Sequence, residues 1–389
     1  MKIALLTHSV NPRGGVVHTI ELAHALQDAG HDVTVMAPAT PGQQFFRPVR
    51  CATQLVPVTH SPRDMIDMVR SRINAYVDHL TPLLAREPFD VLHAHDGIDG
   101  NALATLQERG LISGFVRTVH HLDHFAQPQL MAWQHRSMHQ AQQVLCVSRL
   151  WQGILAREHG ITALEVPNGV DAARYSPVPH VGDAALAQRL GIRTQGPVLL
   201  CVGGVEERKN TLRVLQAFVQ LRERTPGLQL VVAGGASLLD HSAYARVFHA
   251  ALQTSGASQD VLLTGPLADA DMPGLFRLAD VVAMPSLSEG FGLVVLEALC
   301  SGVPVVVANI APFTDYLLPD DAHWADPLDA MSIASAIQHA ISSQKAGQIA
   351  ASATRLAAQF SWSRSAAIHT GIYQNMLKSL TTKEPSPCL

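Results

Sequence analysis

Apolar and polar positions follow the same opening pattern twice along the chain. An apolar run at residues 3–7 leads into the turn-rich Asn11-Pro12-Arg13-Gly14-Gly15, and residues 16–29 then carry apolar positions at helical spacing up to Gly30. The order starts afresh at Pro197-Val198-Leu199-Leu200-Cys201-Val202, followed by Gly203-Gly204 and a helical stretch over residues 211–224. Further short apolar runs fall at residues 32–36, 91–94, 115–119 and 144–147, and again at 228–233, 261–263, 281–284 and 303–308, with helical segments between them. Continuous apolar runs of this length suit strands buried on both faces. Strands alternating with helices imply parallel sheets covered by helices. The pattern therefore predicts two α/β domains, a linker over residues 175–190, and a deep cleft where the carboxyl edges of the two sheets face each other.

Composition supports two ordinary cores: 389 residues, 47% hydrophobic and 15% charged. A net charge of −4 and the lack of a long Lys/Arg run give no electrostatic reason to expect nucleic acid. The five cysteines, Cys51, Cys146, Cys201, Cys300 and Cys388, are scattered and form no CxxC pair, which suits a reducing cytoplasm. The apolar start of the chain is too short for a signal peptide, and no run approaches the roughly 18 apolar residues of a membrane span. Residues 62–85 mix Arg63, Arg70 and Arg72 with Met65, Ile66, Met68, Val69 and Ile73. That mixture reads as an amphipathic core helix, with a lid or a membrane-surface helix as the competing reading. Residues 381–389 read as a disordered tail.

The most specific chemical signal is Glu289-Gly290-Phe291-Gly292-Leu293-Val294-Val295-Leu296-Glu297, which follows the apolar run at 281–284. Glu289 falls just past the carboxyl end of a buried strand, where open parallel sheets bind ligands. Gly290 and Gly292 let backbone amides approach a ligand, and a helix opening near Leu293 adds a positive dipole end. Glu297 lies about one turn into that helix. Carboxylates there suit sugar or ribose hydroxyls, and the amides suit phosphate. Lys209, after Gly203-Gly204-Val205-Glu206-Glu207-Arg208, stands between strand and helix within reach of a phosphate. A cation at a helix start is mildly unfavourable, which argues for a function.

These residues resemble the retaining glycosyltransferases of family 4 (glycosyl transferases group 1), whose Glu, seven residues, Glu motif is followed by Gly-x-Pro-Val-Val, here Gly302-Val303-Pro304-Val305-Val306. The resemblance extends over nearly the whole length. It implies the GT-B fold: two Rossmann-like parallel-sheet domains across a cleft, with a C-terminal helix, from Phe360-Ser361-Trp362 to Tyr373, crossing back to the first domain. The implied division is 1–180 with 362–380 for the acceptor side, and 181–361 for the donor side. By resemblance, His120 in Thr118-Val119-His120 and Glu289 are the catalytic residues. Gly14, Gly15, Lys209, Phe291, Gly292, Leu293 and Glu297 bind the donor, and Arg208 is an auxiliary phosphate ligand. Where many relatives carry a second diphosphate-binding Arg, this chain has Gly204, and it has Asp315 where Glu is frequent. Pro167-Asn168-Gly169-Val170-Asp171 resembles the family's hinge-side loop, and Asn-Gly there predicts a turn.

The implied reaction moves a sugar from a nucleoside diphosphate, UDP by family frequency, to an unidentified acceptor hydroxyl, without cofactor or metal. The implied partners are the nucleotide sugar and a small-molecule, glycan or lipid acceptor, with membrane-surface association left open. The competing functions are a non-catalytic nucleotide-sugar binder and a GT-B epimerase or phosphorylase. An NAD-dependent oxidoreductase is disfavoured, because the first loop lacks G-x-G-x-x-G and the second apolar run ends in Met36-Ala37-Pro38 without an acid. A zinc or di-metal hydrolase could draw on His93, His95, Asp96, His120, His121, Asp123 and His124, yet the two clusters match no ligand pattern end to end. Asp269-Ala270-Asp271 spells DxD, and its position before Met272-Pro273 reads as helix capping rather than a metal site.

Overall fold

A computed structural model describes residues 1–59, 64–235, 241–343 and 346–381. The chain packs as two units: Met1–Gly169 with the segment from Ser361 onward, and Val170–Phe360. Arg63 and residues 382–389, including Cys388, lie outside the described residues, as does most of the predicted tail.

The first unit contains a seven-stranded parallel sheet: β1 (Lys2–Leu6), β2 (Asp32–Ala39), β3 (Ala52–Pro57), β4 (Val91–Ala94), β5 (Val116–Val119), β6 (Gln143–Cys146) and β7 (Leu164–Glu165), in the order β3-β2-β1-β4-β5-β6-β7. The second contains six: β8 (Val198–Val202), β9 (Gln229–Ala233), β10 (Val261–Gly265), β11 (Val281–Met284), β12 (Val305–Ala308) and β13 (His323–Ala325), ordered β10-β9-β8-β11-β12-β13. In both orders the chain reverses direction across the sheet between the first strand and the strand beside it, β1 with β4 and β8 with β11. That reversal opens a crevice at the carboxyl ends of the two strands.

Each apolar run expected to be a strand is one. The strands that the pattern did not announce, β3, β7 and β13, are edge strands with partly exposed residues, so they lack a continuous apolar run. Helix Met65–Arg86 follows its pattern: Asp64 accepts from the Asp67 amide at 3.0 Å, and Met68, Ile73, Tyr76, Val77, Leu80 and Leu83 are buried. Tyr76 donates from its hydroxyl to the Thr7 and Met36 carbonyls at 2.7 and 2.9 Å, tying the helix to the end of β1 and the middle of β2. The apolar stripe of this helix is thus committed to the core of the first unit.

The linker expected at residues 175–190 is instead part of the second unit. Tyr175 is buried edge-on to Phe276, and helix Asp183–Leu190 is fixed by Arg277, whose guanidinium donates to both Asp183 carboxylate oxygens at 2.7 and 2.8 Å. Apolar spacing in a short helix does not distinguish a connector from a packed element. The last helix, Trp362–Thr381, belongs to the first unit and packs on helix Gly14–Asp28. No helix among the described residues is long and apolar enough to cross a membrane.

Candidate functional site

In the second unit the loops after β8 and β11 meet at the crevice. The loop after β8 runs through Gly203 and Gly204 to Lys209 and Asn210, and the loop after β11 carries Glu289. Lys209 Nζ lies 2.7 Å from Glu289 Oε1, and an Arg208 guanidinium nitrogen lies 3.0 Å from Glu289 Oε2, so one carboxylate is clasped by two cations. Glu289 is only 6% exposed. Burial alone would push its carboxyl upward, but the charges of Lys209 and Arg208 outweigh that and hold it at about 2. The carboxylate is therefore ionised at any physiological pH.

Backbone geometry fixes these loops. Asn210, before helix Thr211–Arg222, has φ of 61° and is the single non-glycine residue with positive φ among the described residues. Its side-chain amide donates to the Pro285 and Pro327 carbonyls at 2.9 and 2.7 Å, and the Leu287 amide donates to the Arg208 carbonyl at 2.9 Å. A strained residue with buried bonds at a loop junction marks a locally over-determined site. The sequence reading missed Asn210, whose visible signal was an Asn at the start of a helix beside a Lys.

Gly292 precedes helix Leu293–Cys300 with φ of 95°, and a Cβ there would lie 2.5 Å from the Phe313 ring, so both conformation and space demand glycine. Phe291 stacks on Tyr316 with centroids 5.0 Å apart, and the Tyr316 hydroxyl donates to the Phe291 carbonyl at 3.1 Å. The amides opening this helix thus sit on a rigid aromatic support. Glu297 has a different partner from Glu289: it shares a hydrogen bond with the buried Tyr175 hydroxyl. The two acids of the motif are held by different partners. At Gly204 a side chain would begin 2.9 Å from the Gly235 carbonyl oxygen, so the arginine common among relatives has no room in this backbone.

The first unit carries histidines at the corresponding edge. His93 lies on β4, His95 follows it, His120 follows β5, and His18 comes from helix Gly14–Asp28. His93 is fully satisfied in the core, bonded to the Tyr373 hydroxyl at 2.6 Å and to Thr118 Oγ1 at 2.7 Å. His95 and His120 approach with ring nitrogens 3.4 Å apart, and the His18 ring lies 4.6 Å from that of His120. Burial holds His95 and His120 well below the ordinary histidine range, and His18 at about 3. His121 instead faces Asp123 at 3.5 Å. Gly14 and Gly15 open helix Gly14–Asp28; a Cβ on Gly15 would lie 3.3 Å from the His120 ring, whereas Gly14 has open space around it.

Two local readings are corrected. Asn168-Gly169 forms no positive-φ turn. Gly169 is required because a Cβ would overlap the Trp362 backbone nitrogen, and Asn168 bonds His18. Asp269-Ala270-Asp271 is a 3-10 turn without side-chain capping, and its carboxylates pair with Arg174 and Arg189, each at 2.7 Å. Ion pairing, not capping, explains those acids.

The chain is similar to the phosphatidyl-myo-inositol mannosyltransferase of Mycolicibacterium smegmatis, 26% identical over 97% of this chain and 94% of the relative. It is also similar to the D-inositol 3-phosphate glycosyltransferase of Xylanimonas cellulosilytica, 28% identical over 94% and 92%. Among solved structures, sucrose-phosphate synthase from Thermosynechococcus elongatus matches with a TM-score of 0.80 at 20% identity, covering 97% of this chain and all (100%) of that one. Anabaena HepE in complex with UDP and glucose matches at 0.75 and 20%, covering 98% and 100%. Residues 12–174 match the model for Glycosyltransferase Family 4, and residues 183–356 that for Glycosyl transferases group 1. With a different family model matching each of two parallel-sheet units, the chain belongs to the group 1, family 4 glycosyltransferases of GT-B fold.

Proposed function

We propose that this glycosyltransferase is a retaining enzyme that moves a sugar from a nucleoside diphosphate, UDP by preference, to an acceptor hydroxyl, with no metal in the transfer step. The observation that carries this reading is the Glu289 carboxylate clasped by Lys209 and Arg208 at the crevice between β8 and β11. A diphosphate entering there supplies both cations with a stronger anionic partner and releases Glu289 to accept hydrogen bonds from donor-sugar hydroxyls. Lys209, with Arg208 as auxiliary and the amides of Phe291, Gly292 and Leu293, stabilises the departing diphosphate. Glu297 holds the ribose, its orientation kept by Tyr175. Gly14 and Gly15 lie against the donor phosphates, and His120 lines the reacting face of the sugar. The acceptor oxygen forms its bond to the anomeric carbon on the face that the diphosphate leaves, and a phosphate oxygen takes the acceptor proton. No general base on the protein is needed.

The complex of HepE with UDP and glucose supports a UDP-sugar as the first donor to try. The names of the curated relatives make inositol phosphates and phosphatidylinositol the first acceptors to test. We place the enzyme in the cytoplasm, where its described cysteines, all free and buried, remain reduced. Glu289→Ala is the decisive variant. Transfer from the donor sugar should fall by about 10²-fold or more while UDP binding by calorimetry is largely kept. Unchanged turnover would remove Glu289 from the site, and a protein that binds UDP yet transfers to no acceptor would favour the non-catalytic reading.

A further inference from the structure

Three histidines from three elements of the first unit converge: His18, His95 and His120 each offer a ring nitrogen, and these atoms lie within 4.8 Å of one another. The tautomer of His18 is set by Asn168, whose carboxamide oxygen can only accept. His18 Nδ1, 2.7 Å away, therefore carries the proton, and Nε2 presents a lone pair. Nε2 of His18 and Nε2 of His95 are buried and have no hydrogen-bond partner among the described residues. His93, in the same core, has both nitrogens bonded. Ordinary packing thus satisfies one histidine here and leaves its neighbours each with an unpaired buried nitrogen, which is destabilising.

The remaining geometry identifies what would meet the deficit at His18 Nε2, with His95 taking part through its other ring nitrogen, Nδ1. His95 Nδ1 and His120 Nε2 are 3.4 Å apart, longer than an ordinary hydrogen bond of about 2.7–3.2 Å. For this pair it equals one edge, roughly 3.3–3.4 Å, of a tetrahedron of nitrogens bonded at about 2.0–2.1 Å to a zinc ion, and the third nitrogen, within 4.8 Å of both, would draw in on binding. His120 is only half-buried, which gives an ion a route in and leaves the fourth position to water.

We propose that His18, His95 and His120 form a binding site for one divalent transition-metal ion of the zinc class, with Asn168 as the group that orients His18. The ion takes no part in the transfer reaction. Because it engages His120, metal occupancy and the sugar-facing role of His120 exclude each other, a clause that rests on the function proposed above.

The test reads binding without activity, so it stands or falls independently of the transfer reaction. Full-length protein stripped by chelator is titrated with Zn²⁺ by calorimetry and with Co²⁺ by visible absorption. One equivalent should bind, with Co²⁺ giving the intense bands of a tetrahedral site. His18→Gln and His95→Gln, each verified as folded by circular dichroism, should weaken binding by about tenfold or more, and Asn168→Ala by about tenfold. A control uses the surface group His135, His139 and His159, where His159 Nδ1 lies 3.2 Å from His135 Nε2. His135→Ala should leave the binding unchanged. No stoichiometric binding, binding undiminished in both folded core variants, or binding lost in His135→Ala would each overturn the proposal.

Discussion

The two units place their candidate side chains at the same point of the same strand order and handle charge in opposite ways. In the second unit a buried carboxylate keeps its charge because two cations clasp it. In the first, buried imidazoles give up theirs, because the rings around His95 and His18 are other histidines and Trp362, and burial is unopposed by a nearby carboxylate. A parallel-sheet crevice therefore supplies a location and leaves the electrostatics to the loops. On the function proposed above, one edge exchanges an internal anion for a ligand's diphosphate, and the other offers neutral nitrogen lone pairs.

The largest effect expected from breaking this contrast is on chemistry in the second unit. Lys209→Ala removes the closer of the two cations on Glu289, and steady-state kinetics should show kcat/KM down by about 10³-fold, with weaker UDP binding. A loss below tenfold would mean that Arg208 alone carries the diphosphate charge.

Acid should next separate the units. His18 and His369 titrate at about 3 and about 4 when folded, against 6.5 when free, so the unfolded chain binds their protons first. Their contribution is present above pH 6.5 and is lost as pH falls below it, by about 2 kcal/mol for each ring at pH 5. Glu289 is lowered from 4.5 to about 2, so its contribution is present above pH 4.5 and is lost only between there and about 2. Hydrogen exchange read peptide by peptide should show the first unit losing protection between pH 6.5 and 5 while the second is retained. Loss in the reverse order would contradict the assigned charge states.

Glycine substitutions probe the supports of each crevice. Gly169→Ala in the first unit and Gly292→Ala in the second should each cost about 2–3 kcal/mol, because a Cβ meets the Trp362 backbone in one and the Phe313 ring in the other. Denaturant melts would check the totals, and exchange would show whether each loss is confined to its own unit. The smallest effect is expected at the DxD-like triplet. Asp271→Asn breaks an exposed pair with Arg189 and should leave turnover, and its response to added magnesium, unchanged.

Strand runs, the glycine turns and the Glu289-to-Glu297 spacing were legible in the linear sequence, because buried parallel strands demand unbroken apolar residues and a helix start after glycine has a local signature. Edge strands β3, β7 and β13 were not, since half-exposed residues carry no such run. His18 was hidden for a different reason: it occupies an ordinary inward position of an apolar helix, and its meaning depends on Asn168, 150 residues away along the chain. The glycine at 169 was read as a turn former, whereas its cause is a backbone packed against it from the far end of the sequence.

By itself, then, the sequence determined two parallel-sheet units and the identity of the acids and the lysine at one crevice, because period, turn chemistry and motif spacing are local properties. Only the tertiary structure decided that Glu289 pairs with Lys209 and Arg208 while Glu297 pairs with Tyr175, and that three histidines converge. Charge state and partnership depend on distances and burial between segments remote in the chain, and those exist only once the sheets have brought the segments together.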